Sequence, residues 1–315
     1  MPILITEWMP VGVDRLEAFS ATTYDSALWR DRARLFDLLS ECEALIVRNQ
    51  TQVDAELLDH APKLKVVGRL GVGLDNLDLN ALRERGITVV TGGNANAVAV
   101  AEYTIAAMLA LARKLPAADR STKGGAWDRA TFGAGVELYG KTLGLIGLGD
   151  IGARVAKRAD AFGMRVIAYD PLITPTHFAA TEFGVTLLPL DDVLRESDFV
   201  SLHVPLLPTT ANLINAERLA RMKPTAILIN TSRGRIVDES ALAQALQEKR
   251  LGGAALDVRA HEPPGEADPL AQFENVLLTP HIAGLTAESQ ARVCTAVAED
   301  VLRVLRGEKP VFATK

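Results

Sequence analysis

Cysteine is scarce: this chain has two among 315 residues, Cys42 and Cys294. They lie far apart without metal-ligand spacing, so no metal centre is expected, and the chain suits a reducing compartment. Each reads as a small buried hydrophobe. No basic run or arm occurs, and 34 Lys and Arg stand against 39 Asp and Glu, for a formal net charge of −5. The electrostatic footprint of a nucleic-acid binder is missing, so no DNA or RNA partner is expected. Long apolar runs are missing too. The longest, residues 104–112, falls well short of the roughly 20 residues that span a bilayer. The first seven residues, Met1 to Glu7, have no basic region and meet an acid too early for a signal sequence. A soluble, cytoplasmic protein without a membrane partner is the expectation. Repeats, low-complexity tracts and long Pro/Ser linkers are absent as well.

What is present is a long alternation of short β-rich runs with helical patterns, the signature of parallel sheets covered by helices, so the class is α/β. The length exceeds that at which one core usually stops growing, and an apolar content of 48% suffices for two cores. Strands are expected at 3–6, 44–48, 65–68 and 87–90, with helices such as 26–40 and 79–85 between them. A second series of six follows at 143–147, 166–169, 199–203, 226–230, 254–257 and 276–279, the full doubly wound count. Between the two series, 98–114 reads as an Ala-rich helix linking the domains, with Glu102 in its first turn and Arg113-Lys114 in its last. The helical run 287–306 has no further strand to pair with and is expected to return to the first sheet. The boundaries are therefore drawn at 1–98 with 286–315 for a smaller, flavodoxin-like substrate domain, and 99–285 for a Rossmann domain.

The most informative stretch is Leu143-Gly-Leu-Ile-Gly147-Leu-Gly149-Asp-Ile-Gly152, an apolar strand running into three glycines and then a helical pattern. Gly147 suits the tight strand-to-helix turn, Gly149 the approach of backbone to a pyrophosphate, and Gly152 close helix packing. The phosphates would sit at the helix N-terminus. A bare glycine pattern is as often an ordinary tight turn, but here a helix-length interval and a second strand, 165–169, lead to Asp170, where an acid for the adenosine ribose belongs. Strand, turn, helix, strand and acid in that order point to a dinucleotide site.

Oxidation of a hydroxyl by such a cofactor needs a proton acceptor, a cation for a substrate carboxylate and placement of carbon against the ring at roughly 3–3.5 Å. Candidates lie beyond three strand ends, where ligands bind in open α/β sheets. Arg233, in Asn230-Thr-Ser-Arg233-Gly, has the fork to hold a carboxylate, although alone it would more often be a surface ion-pair partner. His281, in Thr279-Pro-His281, carries an imidazole that exchanges protons near neutrality, although a lone histidine is more often structural. Glu262, after Asp257-Val-Arg-Ala-His261, would orient that imidazole, the bland alternative being a solvated loop acid.

Together these residues resemble the D-isomer-specific 2-hydroxyacid dehydrogenase family over nearly the whole chain. The matches include Gly71-Val-Gly-Leu-Asp75-Asn76, Asn96 with Val100-Ala-Glu102, Trp127, Gly140-Lys-Thr-Leu-Gly144, Gly147 to Gly152, His203-Val-Pro205, Asn230 to Gly234, Asp257 to Pro263 and Pro280-His281. The resemblance implies a catalytic set of Arg233, Glu262 and His281, with NAD as cofactor. The cofactor site would include Gly147, Gly149, Asp150, Ile151, Gly152, Asp170, His203, Pro205, Thr210, Thr231, Asp257 and Gly284, with Asp257 on the carboxamide of nicotinamide. Backbone at Val72 and Gly73 would hold the substrate carboxylate, and a homodimer would form around 99–140. The site would lie between the domains and close about hinges near 97–100 and 284–287. Among the remaining histidines, His203 would line the cofactor site, His261 is a loop residue, and His60 and His177 lie in no recognisable site.

The resemblance implies interconversion of a small-molecule 2-hydroxy acid and its 2-oxo acid. Lys65-Val-Val-Gly-Arg69-Leu-Gly71 resembles the 3-phosphoglycerate dehydrogenase subgroup, so Arg69 suggests a substrate with a second anion, such as 3-phosphoglycerate or 3-sulfolactate. The alternatives are simple acids (glyoxylate, hydroxypyruvate, lactate) or an NAD-sensing corepressor that keeps the same fold. Glu262 stands where formate-active relatives carry glutamine and speaks against formate. Arg259 replaces a common aromatic residue, Tyr103 a common histidine and Leu207 a common threonine. Tyr103 and Arg259 are candidates for shaping substrate choice, with a surface role the alternative for Arg259.

Overall fold

A computed structural model describes residues 2–314. The chain divides into two compact units, Met1–Asn96 with Leu285–Lys315, and Ala97–Gly284. Each is built on one parallel sheet.

In the first unit, β1 (Ile3–Ile5), β2 (Thr22–Tyr24), β3 (Ala44–Val47), β4 (Val66–Arg69) and β5 (Thr88–Thr91) pair in the order β2-β1-β3-β4-β5. Side chains alternate between two cores, because successive residues of a strand point to opposite faces. Leu4, Leu45, Val67 and Val89 pack on one side. Ile3, Ile5, Ile46 and Val66 meet Val293, Val297 and Val301 of the helix Ala287–Leu305 on the other. That helix opens with a capping box at Thr286 and Ser289. Strand β2 was not legible in the sequence: it is three residues long, sits at the sheet edge and is partly exposed, so it has no apolar run to betray it.

The expected helix 26–40 is interrupted. A 3₁₀ turn at Leu28–Arg30 is followed by an α-helix at Arg32–Leu39, because the Asp31 side chain accepts from the Arg34 N–H and starts a new helix there.

In the second unit, β6 (Thr142–Ile146), β7 (Arg165–Tyr169), β8 (Thr186–Leu187), β9 (Phe199–Leu202), β10 (Ile227–Asn230), β11 (Gly253–Leu256) and β12 (Val276–Leu278) pair as β12-β11-β10-β9-β6-β7-β8. Six of these are the anticipated strands. The seventh, β8, is a two-residue edge strand too short to leave a pattern. Strands β6, β9 and β11 are buried throughout, as expected of parallel strands covered on both faces. The order reverses between β6 and β9, which makes their carboxyl ends the switch point where such sheets bind ligands.

The helix after the first unit runs over Ala97–Ala112, so two details change. Glu102 falls in the second turn and pairs with Arg158 at 3.1 Å, while Arg113 and Lys114 lie past the last residue, Lys114 in a left-handed conformation. The helix is not a free linker. Ala101, Ile105 and Met108 pack with Leu143 and Leu145 of β6 in one core.

Candidate active site

Parallel register lines the site residues along one edge. Ile146 stands opposite Tyr169 and Leu202, Asn230 opposite Leu202 and Leu256, and Leu256 opposite Leu278. The residues next in sequence, Gly147, Asp170, His203, Thr231, Asp257 and Thr279, therefore emerge together at the carboxyl edge.

At the switch point the three glycines separate by role. Gly147 has a φ of 97°, and a Cβ there would lie 2.5 Å from the His203 carbonyl oxygen. A Cβ at Gly152 would lie 2.2 Å from the Gly147 carbonyl oxygen. A Cβ at Gly149 would meet nothing within 4 Å, so packing does not require that glycine, whereas a ligand approaching the backbone would. Gly149, at the N-cap of the helix Asp150–Ala161, has no side chain with which to cap it, so the helix begins without a side-chain cap hydrogen bond.

The Asp170 carboxylate accepts from the Leu148 N–H at 2.8 Å and the Leu172 N–H at 2.9 Å, which places it against the glycine turn with lone pairs to spare. Two buried polar atoms, His203 Nδ1 and Thr231 Oγ1, have no hydrogen-bond partner among the described residues. Uncapped helix end, open glycine, acid and orphaned polar atoms fit a dinucleotide. Burial pushes the His203 imidazole down to about 3, so it stays neutral, with Nε2 on the Ser201 hydroxyl at 2.9 Å. Pro205 and Thr210 lie on the same loop, where the Thr210 hydroxyl donates to the Pro205 carbonyl at 2.6 Å. Among the described residues, no cluster suited to a metal ion occurs and no helix is long and apolar enough to cross a membrane.

Three loops bring the proposed chemistry together. His281 Nδ1 lies 2.7 Å from Glu262 Oε2, with both side chains partly exposed. Burial alone would raise the Glu262 carboxyl, but the hydrogen bond and charge of His281, the Arg259 N–H and the Arg233 charge outweigh it and hold the group below its ordinary value. His281 adopts φ 57°, a left-handed conformation costing a non-glycine residue about 1–2 kcal/mol. Asp257 compensates. It is 1% exposed, its carbonyl accepts the His281 N–H, and its carboxylate accepts from the Thr279 hydroxyl and the Ile282 and Ala283 N–H groups at 2.6–2.8 Å. Tyr103 donates to Thr279 Oγ1 at 2.5 Å, since the threonine proton is already committed to the carboxylate.

Arg233 follows a turn stitched by the buried Asn230, whose amide accepts from the Ser232 N–H and donates to the Arg233 carbonyl. Gly234 then permits a close approach: a Cβ there would lie 1.9 Å from the Arg259 carbonyl carbon. Asn230, Thr279 and the bracing role of Asp257 were not recognised from sequence, although each stands inside a quoted motif. The surface role weighed for Arg259 requires a correction, because the side chain is not at the surface. It is 8% exposed and clamped between Glu239 and Asp268. No local pattern reveals those partners, 20 and 9 residues away.

In the first unit, the Arg69 side chain is buried, and Nη1 donates to the Leu70 carbonyl at 3.0 Å over Gly71. Val72, exposed, and Gly73 follow in the same loop. Gly284 ends the second unit. His60 stacks on Phe36, His177 caps the Ala179 N–H, and His261 is exposed in its loop.

Residues 105–283 match the NAD binding domain of D-isomer specific 2-hydroxyacid dehydrogenase. A D-3-phosphoglycerate dehydrogenase of Synechocystis sp. is 46% identical over 297 residues, 94% of this chain and 52% of that protein. The chain thus spans about half the length of the curated relatives it matches. TT0316 protein from Thermus thermophilus superposes with a TM-score of 0.93 at 38% identity, covering 100% of both chains. D-Lactate dehydrogenase from Aquifex aeolicus, complexed with NAD and lactic acid, superposes with a TM-score of 0.85 at 32% identity, covering 97% of this chain and 96% of that one.

Proposed function

Because this chain belongs to the D-isomer specific 2-hydroxyacid dehydrogenase family and carries its NAD-binding domain, we propose that it interconverts a 2-hydroxy acid and its 2-oxo acid. The chemistry that bound NAD would supply is hydride uptake in oxidation and, in its reduced form, hydride delivery. The residues at the carboxyl edge supply the rest. Glu262 occupies His281 Nδ1, so Nε2 is the nitrogen that exchanges a proton with the substrate oxygen. In reduction, protonated His281 donates to the ketone oxygen while Arg233 binds the carboxylate and polarises the carbonyl. In oxidation, neutral His281 accepts the hydroxyl proton, and Glu262 stabilises the imidazolium that results. The single observation that carries this reading is the 2.7 Å His281–Glu262 pair with Arg233 acting on the same carboxylate.

On the nucleotide side the proposed contacts are backbone at Gly147, Gly149, Asp150, Ile151 and Gly152, the Asp170 carboxylate, and His203, Pro205, Thr210, Thr231, Asp257 and Gly284. On the substrate side they are Arg233 and His281, with Arg69, Val72 and Gly73 of the first unit. A substrate with a second anion is favoured, supported by the relatives named D-3-phosphoglycerate dehydrogenase and by Arg69 at the end of β4. Two buried free thiols support a reducing, cytoplasmic setting.

A homodimer through residues 99–140 is supported by an apolar surface. Leu115, Val136, Trp127 and Tyr139 are 44–81% exposed, and the helix Leu115–Lys123 buries no residue.

NADH consumption across a panel of 2-oxo acids, with and without a distal phosphate, sulfonate or carboxylate, tests the proposal. Turnover that favours the doubly anionic members is expected. A purified protein that binds NADH but turns over none of them would be a sensor and not an enzyme.

A further inference from the structure

We infer that Arg259 is a positioning residue for the His281–Glu262 pair, acting through a clamp with Glu239 and Asp268 that fixes the backbone to which Glu262 is tied. The guanidinium is bonded on both sides. Nε and Nη2 donate to Glu239 at 3.2 and 3.0 Å, Nη2 also to Asp268 Oδ1 at 2.9 Å, and Nη1 to Asp268 Oδ2. Its side chain is 8% exposed, and those of Asp268 and Glu239 are 11% and 20% exposed. Little water competes for these bonds.

The clamp reaches the site along the backbone. Glu239 Oε1 also accepts the Ala260 N–H at 2.7 Å, so residues 259 and 260 are both fixed to the first residue of the helix Glu239–Gln247. The Arg259 N–H then donates to Glu262 Oε1 at 3.0 Å, leaving Oε2 directed at His281 Nδ1. On the other flank, residues 259 and 260 press on Gly234, the neighbour of Arg233, at a distance that no larger residue tolerates. A carboxylate held at one oxygen by a fixed N–H cannot swing away from the imidazole at the other. A planar, bidentate fork is required for this, and lysine cannot supply it.

This inference rests on the proposed roles of Glu262 and His281, yet its first test needs no turnover. The ring titration of His281, followed by NMR in the full chain without cofactor and assigned against His281→Ala, reports the Glu262 contact directly. The charged groups acting at the pair are Glu262 itself, Arg233, whose charge acts on that carboxylate, and Asp257, whose carbonyl accepts the His281 N–H. Arg259→Lys is expected to lower the His281 midpoint by about half a pH unit, since a loosened carboxylate favours the imidazolium less. It is also expected to cut kcat by about tenfold with a smaller change in KM, as when a transition-state interaction weakens.

Both effects should disappear when Arg259→Lys is made in a Glu262→Gln background, because the carboxylate through which the clamp acts is gone. Asp268→Asn, which keeps the Arg259–Glu239 pair, should give the same shift at reduced size and serves should Arg259→Lys not fold. Unchanged His281 midpoints in the folded variants, or equal effects with and without Glu262, would overturn the inference. Failure of wild type to turn over any 2-oxo acid would instead overturn the activity, leaving the titration to decide the clamp.

Discussion

At the scale of single residues, the proposed chemistry turns on one imidazole and the groups that face it. His281→Ala is expected to cost on the order of 10²–10⁴ in turnover, the usual worth of a positioned acid–base group. Near-normal kcat in that variant would remove His281 from the mechanism. Glu262→Gln keeps the shape but removes the charge 2.7 Å from Nδ1, so the protonated ring is less favoured and the alkaline limb of the reduction rate should move to lower pH. His203 does not confuse that profile, since burial holds it near 3.

In the proposed site, Asp170 is the residue expected to set cofactor choice. A 2′-phosphate about 4 Å away meets repulsion of about 4 kcal/mol at an effective dielectric near 20, so NAD should be preferred over NADP by up to roughly a thousandfold. Equal kcat/KM with NADPH and NADH would sink that assignment. Arg69 is the residue proposed to discriminate among substrates. Should its guanidinium serve a distal phosphate or sulfonate, Arg69→Ala will raise the barrier for doubly anionic acids by about 1.5–3 kcal/mol and spare singly anionic ones. Its bond to the Leu70 carbonyl makes the competing outcome concrete. A brace for its own loop predicts equal losses, so the ratio of kcat/KM for the two substrate types decides.

At the scale of elements, the turn between β6 and the helix Asp150–Ala161 separates what the fold needs from what a ligand needs. Gly152→Ala drives a methyl to 2.2 Å from the Gly147 carbonyl, where only backbone movement can relieve it, and should destabilise the protein by about 1–3 kcal/mol. Gly149→Ala meets no protein atom within 4 Å, so thermal stability should hold while NAD affinity falls. Melting curves with and without NAD read both, and a loss of stability in Gly149→Ala would contradict the assignment.

The strong elements of the fold were legible because their signals are local: buried parallel strands read as apolar runs, and helices show their period and caps. The elements that escaped are weak for equally physical reasons. Strands β2 and β8 are short edge strands, and the 26–40 helix breaks where one side chain, Asp31, accepts from a backbone N–H in mid-run.

At the scale of the whole molecule, the surface between 115 and 139 should be covered by a second copy. Trp127→Glu places a charge on a side chain 81% exposed in the single chain, where it costs folding little and an interface much. A shift to monomer in light scattering, with an unchanged melting profile of the isolated chain, is the expected result; a wild type that is already monomeric would end the dimer proposal.

The sequence by itself determined the α/β class and the doubly wound nucleotide sheet, and it marked Arg233, Glu262 and His281 as the proposed catalytic set. Each is announced by residues within a few positions of one another, at a strand end with its turn. Only the tertiary structure decided what holds those residues in place. Asp257 beneath the left-handed His281, Tyr103 reaching Thr279 from 176 residues away, and Arg259 clamped between Glu239 and Asp268 are contacts between distant segments. Their partners are set by which strand ends the sheet places side by side, and that order is not written in any local spacing.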